Sequence, residues 1–239
     1  MKKKVYLSRL TRAPLINYLS SQHYNLEFVS GDGSPVYREI STHADLYMCQ
    51  LGLGESARIF KGNMQKLKKY YPGNIRYNAV CTGKYFIHNL KYTDAALLQA
   101  ARQWQARYFP NTDFEMVHVS QGYTRCCCLP VNDDSFITAD IGIAKALSAR
   151  GARILLIEEG YISLPGFDYG FIGGCAGNLV KSGIPTIVFH GNLADHPQYK
   201  EIAIFLKDRD VKLIHFDAHP LEDIGSILTG APLQEPPCR

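Results

Sequence analysis

The sequence predicts a single α/β domain over residues 1–239, built from five strand–strand–helix–strand units around a pseudo-fivefold axis. Three observations favour this fold class. Pairs of short strand-like runs are followed several times by an amphipathic helix and then by another apolar run. The predicted helix starts, near residues 63, 94, 140 and 196, indicate a repeat architecture. Each chain end supplies part of one unit, which favours a closed ring because closure removes sheet edges. A mixed α/β domain with ordinary alternation is the alternative.

Four of the units follow one another along the chain, at residues 43–74, 75–122, 125–160 and 169–216. Each is predicted to contain two strands, a helix and a closing strand, except that the first unit closes with a turn. The fifth unit is assembled from both chain ends. There, the run at residues 225–231 is expected to pair with strands at residues 3–10 and 25–31.

Local signals support the predicted helices. In the second unit five side chains share one helical face: Leu97, Leu98, Ala101, Trp104 and Tyr108. Thr93 is the expected N-cap of that helix. Asp140 lies at the start of the third-unit helix, where a negative charge is favourable, and Gly151 is expected to end it. Pro197 lies in the first turn of the fourth-unit helix.

Composition narrows the class of protein. Hydrophobic residues make up 46% and charged residues 20% of the chain, as expected for a domain that buries a core. The net charge is +4, but the only compact basic run is Lys2 to Lys4, so nucleic-acid binding is not expected. No apolar run approaches the ~18 residues that span a bilayer, and Arg9 and Arg12 interrupt any signal-peptide core.

The cysteines and the missing motifs complete this interpretation. Seven cysteines, an odd number without a CxxC pair, predict reduced thiols and a cytoplasmic protein. No dinucleotide-binding, Walker or GxSxG motif occurs, so no cofactor is expected.

A His-x-Asp pair, His43 and Asp45, is the most informative motif. It opens a predicted strand in the stretch STHADLYMCQLG. Residues two apart on a strand point to the same face, so the imidazole and the carboxylate would enter one cavity. The pair either forms a site or is a structural pair at a polar strand end.

The repeated units, the HAD stretch and the glycine-rich stretch GFIGGCAG together resemble the guanidino-group-modifying enzyme superfamily, in an uncharacterised branch of unknown function. The resemblance implies the pentein fold, a five-bladed α/β-propeller of ββαβ units with pseudo-fivefold symmetry. It also implies a central channel in which His43 carries protons and Asp45 holds the substrate guanidinium. The chemistry is consistent, because a carboxylate pairs with a planar guanidinium through two hydrogen bonds and an imidazole transfers protons near neutral pH.

The nucleophile of that superfamily is a cysteine on another channel-lining strand, usually near the C-terminus. This chain departs from the pattern, because residues 225–231 contain no cysteine and Cys238 lies in the tail. Cys126 and Cys175 are the candidates for the catalytic thiol, since each opens a predicted strand. Cys126 follows an arginine that would lower its pKa, whereas Cys175 lies among glycines that let backbone N–H groups approach a ligand. The alternative for each thiol is a small core residue, since free cysteine is among the most buried residue types.

Two more carboxylates are candidates for substrate binding. Asp168 lies in a loop rich in glycine and aromatic residues, and such loops often carry ligands. Asp140 is the second candidate, with the role of helix N-terminal residue as the alternative.

A metal site is a competing interpretation. The run HFDAHP places His215, Asp217 and His219 at alternate positions and is similar to the DAH manganese motif of the arginase-like ureohydrolases. The GGDHS segment of that family is not present in the sequence.

Three functional hypotheses follow. The chain is a Cys/His-dependent hydrolase or transferase acting on a guanidine or amidine, a catalytically silent pentein that binds a small molecule or a macromolecular partner, or a divalent-metal hydrolase. For the first hypothesis, the expected partner is a small molecule with a guanidinium or amine group, and no membrane association is expected.

Overall fold

The computed structural model describes residues 4–181 and 183–233, which form a mixed α/β fold with three sheets. The helices are α1 (Ala13–Ser21), α2 (Ala95–Tyr108), α3 (Thr124–Cys127), α4 (Ile141–Ser148) and α5 (Tyr199–Lys207). The strands are β1 (Lys4–Ser8), β2 (Asn25–Val29), β3 (Met48–Leu51), β4 (Arg58–Lys61), β5 (Val80–Cys81), β6 (Tyr85–His88), β7 (Glu115–His118), β8 (Cys128–Pro130), β9 (Ser135–Thr138), β10 (Arg153–Leu156), β11 (Ala176–Lys181), β12 (Ile184–Phe189), β13 (Lys212–Ile214) and β14 (Leu228–Pro232). The predicted α/β class is confirmed. Lys2, Lys3 and Cys238 lie outside the described residues.

The strands pair in a repeated pattern. In three successive units an antiparallel hairpin is followed by a helix and then by a strand parallel to the second hairpin strand. These units are β5–β6–α2–β7, β8–β9–α4–β10 and β11–β12–α5–β13. At the chain ends, β14 pairs antiparallel with β1, and β1 pairs parallel with β2 beyond α1. The predicted pairing between the two ends of the chain is therefore confirmed.

The helix predicted at residues 63–71 is wrong. The hairpin of β3 and β4 is followed there only by a 3-10 turn, Met64–Lys66. Its N-cap is Asn63, whose side chain accepts a hydrogen bond from the Gln65 N–H group at 2.9 Å. Leu67 is the single buried side chain of this segment. A helix there would place Met64, Leu67 and Tyr71 on one face, but only Leu67 is buried by the rest of the fold. Packing supplies most of the stability of a short helix.

The other predicted helices form, with small shifts at their starts. The N-cap of α2 is Asp94 rather than Thr93, and its carboxylate accepts a hydrogen bond from Ala96 N–H at 3.0 Å. Asp140 caps α4 as expected, accepting from Ile143 N–H at 2.8 Å. Helix α5 begins at Tyr199, two residues after Pro197. No helix within residues 4–181 and 183–233 is both long and apolar enough to cross a membrane.

Three hairpins open on strands that are deeply buried. All residues of β3 and β8 are buried, as are the first four of β11. The segments that lead into these strands carry His43, Cys126 and Gly174 respectively. The fold therefore brings three distant parts of the sequence toward one interior region.

Candidate active site

The His-x-Asp pair lies in a different local structure from the one predicted. Instead of opening a strand, it forms a 3-10 turn, Ala44–Leu46, with His43 as the N-cap residue, and β3 begins only at Met48. Both side chains are nevertheless buried, at 4% exposure for His43 and 1% for Asp45. Gly225 packs against this turn with φ +72°, and a Cβ at that position would collide with the His43 side chain. The close approach of residue 225 therefore requires glycine.

Cys126 is the cysteine that joins this pair. It lies in the short helix α3, just before β8, and its thiol donates a hydrogen bond to Asp45 Oδ2 at 3.0 Å. The Asn78 amide donates to the Cys126 sulfur at 3.3 Å. The Ser226 hydroxyl donates to the same Asp45 oxygen at 2.6 Å. One carboxylate oxygen thus accepts hydrogen bonds from a thiol in the middle of the chain and from a hydroxyl near its C-terminal end.

Asp223 completes the arrangement, and the sequence interpretation missed it. Its carboxylate accepts hydrogen bonds from Gly225 N–H and from Phe171 N–H, both at 2.9 Å. One of its oxygens lies 3.9 Å from His43 Nδ1. Single atoms of His43, Cys126 and Asp223 lie within 4.8 Å of one another. The residues His43, Asp45, Cys126, Asp223 and Ser226 are called the buried cluster below.

Burial sets the charges of the buried cluster. It lowers the pKa of His43 to about 4, against an opposing effect of Asp45. It raises the pKa of Asp45, which nearby His43 and the two hydrogen-bond donors counteract, and it raises the pKa of Asp223 to about 6. The Cys126 thiol pKa lies well above its usual value, first through burial and then through the Asp45 charge. At neutral pH the cluster therefore contains a neutral imidazole and a protonated thiol.

A buried arginine lies beside the cluster and supplies positive charge. The Arg125 guanidinium donates to the carbonyl oxygens of Gly173 at 3.0 Å and Ala176 at 3.2 Å. Burial lowers the pKa of Arg125, and Asp45 is the largest of the charges that oppose this. Arg125 therefore helps the protein to hold buried carboxylates in their charged form.

The other candidate residues lie outside the buried cluster. Cys175 is buried in an apolar core with Ile172 and Phe189, and its thiol donates to the Ile172 carbonyl at 3.3 Å. Asp140 serves as the N-cap of α4, as described above, and Asp168 is exposed in its loop. Of the two predicted thiols, only Cys126 is brought to His43 and Asp45.

The predicted metal run does not form a ligand set. Within the described residues, His215, Asp217 and His219 do not converge, and His219 instead approaches His190 and Glu222. Both His190 nitrogens are already held by backbone groups, Nε2 by Arg12 N–H at 3.0 Å and Nδ1 by the Glu222 carbonyl at 3.1 Å. A metal there would have to displace one of them. His43, Cys126 and Asp223 offer a better ligand set for an ion such as Zn²⁺, provided that the thiol loses its proton.

The chain belongs to a protein family. Residues 53–228 match the model of a family of unknown function, DUF6873. The match includes Cys126, Asp223 and Ser226, whereas His43 and Asp45 precede it. No curated protein matches the sequence.

Proposed function

We propose that this member of the DUF6873 family is a thiol-dependent enzyme that acts on a guanidine or amidine. The observation that supports it best is the convergence of Cys126, His43 and two carboxylates from three separate segments in one buried cluster. A nucleophile, a proton carrier and an anchor for a cation are the groups that this chemistry needs. The resemblance to the guanidino-group-modifying superfamily points to the same reaction class.

We also propose that the fold is the five-bladed pentein propeller. The three complete ββαβ units, the unit assembled from β14, β1, α1 and β2, and the hairpin of β3 and β4 together supply five units. Parallel pairing links neighbouring units, β4 to β14 and β3 to β5. This pattern is consistent with blades arranged around an axis.

Asp45 is suited to bind the cation. Its Oδ2 atom accepts from Cys126 and Ser226, but its Oδ1 atom is buried and has no hydrogen-bond partner among the described residues. A buried acceptor without a partner destabilises the protein by roughly 1–3 kcal/mol. A guanidinium or amidinium N–H group would satisfy this oxygen and neutralise its charge. Neutralising Asp45 would also lower the Cys126 pKa, because the Asp45 charge is one of the causes that raise it.

The proposed reaction follows from these positions. As the Cys126 sulfur attacks the central carbon of the bound group, the thiol proton passes to the neutral His43 imidazole. The protonated imidazole returns this proton to the leaving nitrogen, and the carbon–nitrogen bond breaks to release an amine or ammonia. The carbon is then bonded to sulfur as a thiouronium or thioimidate. Water adds to that carbon, His43 takes a proton from the water, and the sulfur leaves as the thiolate, which is protonated again.

A specific observation favours a second candidate, a pentein that binds a cation without turnover. The Cys126 thiol is held protonated by its hydrogen bond to Asp45, and its pKa lies well above the usual range. A thiol in this state is a poor nucleophile. The two candidates differ only in whether cation binding frees the thiolate.

One experiment separates them. The protein is incubated with a set of guanidines and amidines, and released amine and any covalent adduct on Cys126 are measured after acid quenching. The enzyme proposal predicts turnover in the wild type and in the matched Cys175→Ser variant, and none in Cys126→Ser. Turnover that persists in Cys126→Ser would contradict it. Thermal stabilisation by these cations that Asp45→Asn abolishes, without turnover, would instead support the binding protein.

A further inference from the structure

A ligand reaches the buried cluster only if part of the surrounding structure moves. His43, Asp45 and Cys126 are each at most 4% exposed. An entrance is expected where a surface groove approaches the segments that carry these residues.

One surface groove has an aromatic lining, and it is called the entrance groove below. It encloses about 690 Å³ and is lined by the rings of Tyr37, Tyr70, Tyr71 and Phe167. The last three rings are each at least 45% exposed. The Tyr37 ring centroid lies 6.3 Å from that of Tyr70 and 6.0 Å from that of Phe167. An exposed apolar patch built from three separate segments indicates a binding site more than an accident of the surface.

Tyr37 connects the entrance groove to the interior through a second tyrosine. Its hydroxyl oxygen lies 3.3 Å from the Tyr123 hydroxyl oxygen, and the Tyr71 ring packs against Tyr123 at 5.9 Å between centroids. Asn74 donates a hydrogen bond to the Tyr123 hydroxyl at 2.9 Å. The Tyr123 hydroxyl thus accepts from Asn74 and shares a second hydrogen bond with Tyr37, in which either hydroxyl can be the donor. Tyr37 and Tyr123 are called the tyrosine pair.

Each member of the tyrosine pair precedes a residue of the buried cluster in the chain. Tyr37 begins the turn that leads to His43, whose N–H donates to the Ile40 carbonyl at 3.0 Å. Tyr123 is the N-cap residue of α3, the helix that carries Cys126. Burial raises the pKa of both tyrosines, and a charge on Cys126 raises both further. The tyrosine pair therefore joins the chain segments that lead to His43 and to Cys126.

The region behind the tyrosine pair also lacks a hydrogen-bond donor. Asn74 is fully buried, yet its Oδ1 atom has no partner within the described part of the chain. Asp45 Oδ1 is likewise buried and has no hydrogen-bond partner among the described residues. Buried polar atoms are nearly always paired with protein or water, so each of these oxygens is a position that an N–H donor of a ligand would satisfy.

We propose that the entrance groove is the route to the buried cluster, and that the hydrogen bond between Tyr37 and Tyr123 holds it closed. This inference rests on the proposed function, for which it supplies the path of a guanidine or amidine to Cys126. The rings of Tyr71 and Phe167 offer faces to an organic cation, whereas Lys69 already lies over the Tyr70 ring at 5.1 Å and Arg38 and Glu39 also line the groove. Breaking the tyrosine pair lets the cation pass. Once inside, its N–H groups can pair with the unpaired Oδ1 atom of Asp45, beside Cys126.

The test measures how fast iodoacetamide alkylates Cys126, by peptide mass spectrometry that resolves each cysteine. Tyr37→Phe and Tyr123→Phe each remove the hydrogen bond and keep the ring. Tyr70→Phe is the matched control, because it removes a hydroxyl from the same groove but outside the pair. Loss of one neutral hydrogen bond is expected to speed alkylation of Cys126 by roughly threefold to tenfold in the first two variants. The control is expected to react at the wild-type rate.

Two further readouts make the result decisive. The double variant Tyr37→Phe/Tyr123→Phe should react no faster than the faster single variant, because both changes break the same bond. Equal alkylation rates of Cys126 in all variants would overturn the proposal. Faster alkylation of Cys127 and Cys128 together with Cys126 would also overturn it, because it indicates unfolding. Iodoacetamide is uncharged and needs no turnover. The entrance is therefore tested even if no guanidine is a substrate, and failure of either proposal is recognised separately.

Discussion

Replacing His43 by asparagine should make the stability of the protein less sensitive to acid. Burial lowers the His43 pKa from its usual 6.5 to about 4, so the folded protein binds this proton less readily than the unfolded chain does. The stability that the neutral imidazole contributes is complete above pH 6.5 and is lost as the pH falls toward 4. One pKa unit corresponds to about 1.4 kcal/mol. At pH 5 the free energy of unfolding of the wild type is therefore about 2 kcal/mol lower than at neutral pH because of His43 alone. The His43→Asn variant lacks this group, so its stability does not fall for this reason.

The assay is urea unfolding of both proteins at pH 7.5 and pH 5. The destabilisation caused by His43→Asn should shrink by about 2 kcal/mol at the lower pH. Buried groups that do not interact with His43 titrate alike in both proteins and cancel to a first approximation. His23→Asn is the matched control, because His23 is exposed and lies at φ 61°, a conformation that asparagine tolerates. A pH-independent difference between wild type and His43→Asn would refute the claim that this imidazole is buried and neutral.

Three further predictions concern two contacts of the site and one helix cap outside it. Gly225→Ala should destabilise the protein by at least about 2 kcal/mol in urea unfolding, because its φ is +72° and the new Cβ would collide with His43. Gly151→Ala has a similar φ of +77° with no atom within 4 Å, so a smaller loss is expected, and equal losses would contradict the close contact. Ser226→Ala should lower the free energy of unfolding by roughly 1–2 kcal/mol, because Asp45 loses a hydrogen bond. It should also raise the reactivity of Asp45 toward carbodiimide, and unchanged reactivity would argue against that hydrogen bond. Asp140→Ala should lower the thermal midpoint, because it removes an N-cap that stabilises the protein by about 1 kcal/mol. It should not change the rate at which Cys126 is alkylated.

The sequence predicted the α/β class and most of the helices because the signals for them are local. The apolar face of α2 places Leu97, Ala101 and Trp104 in the core, and Asp140 caps α4 as its sequence context suggested. The expected helix at residues 63–71 failed because, of its apolar side chains, only Leu67 is buried against the rest of the fold. Helix propensity could not reveal that, since packing decides the outcome for short segments.

The site was predictable only in part. His43 and Asp45 were found through their spacing, although the turn they form is not a strand. Ser226 lies 181 positions from Asp45 in the sequence, and Asp223 acts through loops whose pairing no local pattern reveals. The sequence offered one weak signal for Asp223: it lies two positions before Gly225, the glycine that opens the final strand-like run. The choice between Cys126 and Cys175 depended on three-dimensional packing, because both thiols precede similar strands.

The most direct test of the central claim compares two alkylating reagents of the same shape, the cation chloroacetamidine and its neutral analogue chloroacetamide. If Asp45 binds a planar cation beside a reactive Cys126, the cation should modify Cys126 at least tenfold faster than the neutral reagent, corresponding to ~1.4 kcal/mol of preferential binding. Asp45→Asn should abolish that preference, and Cys175 should stay unmodified. Equal rates of the two reagents at Cys126 in the wild type would contradict the account.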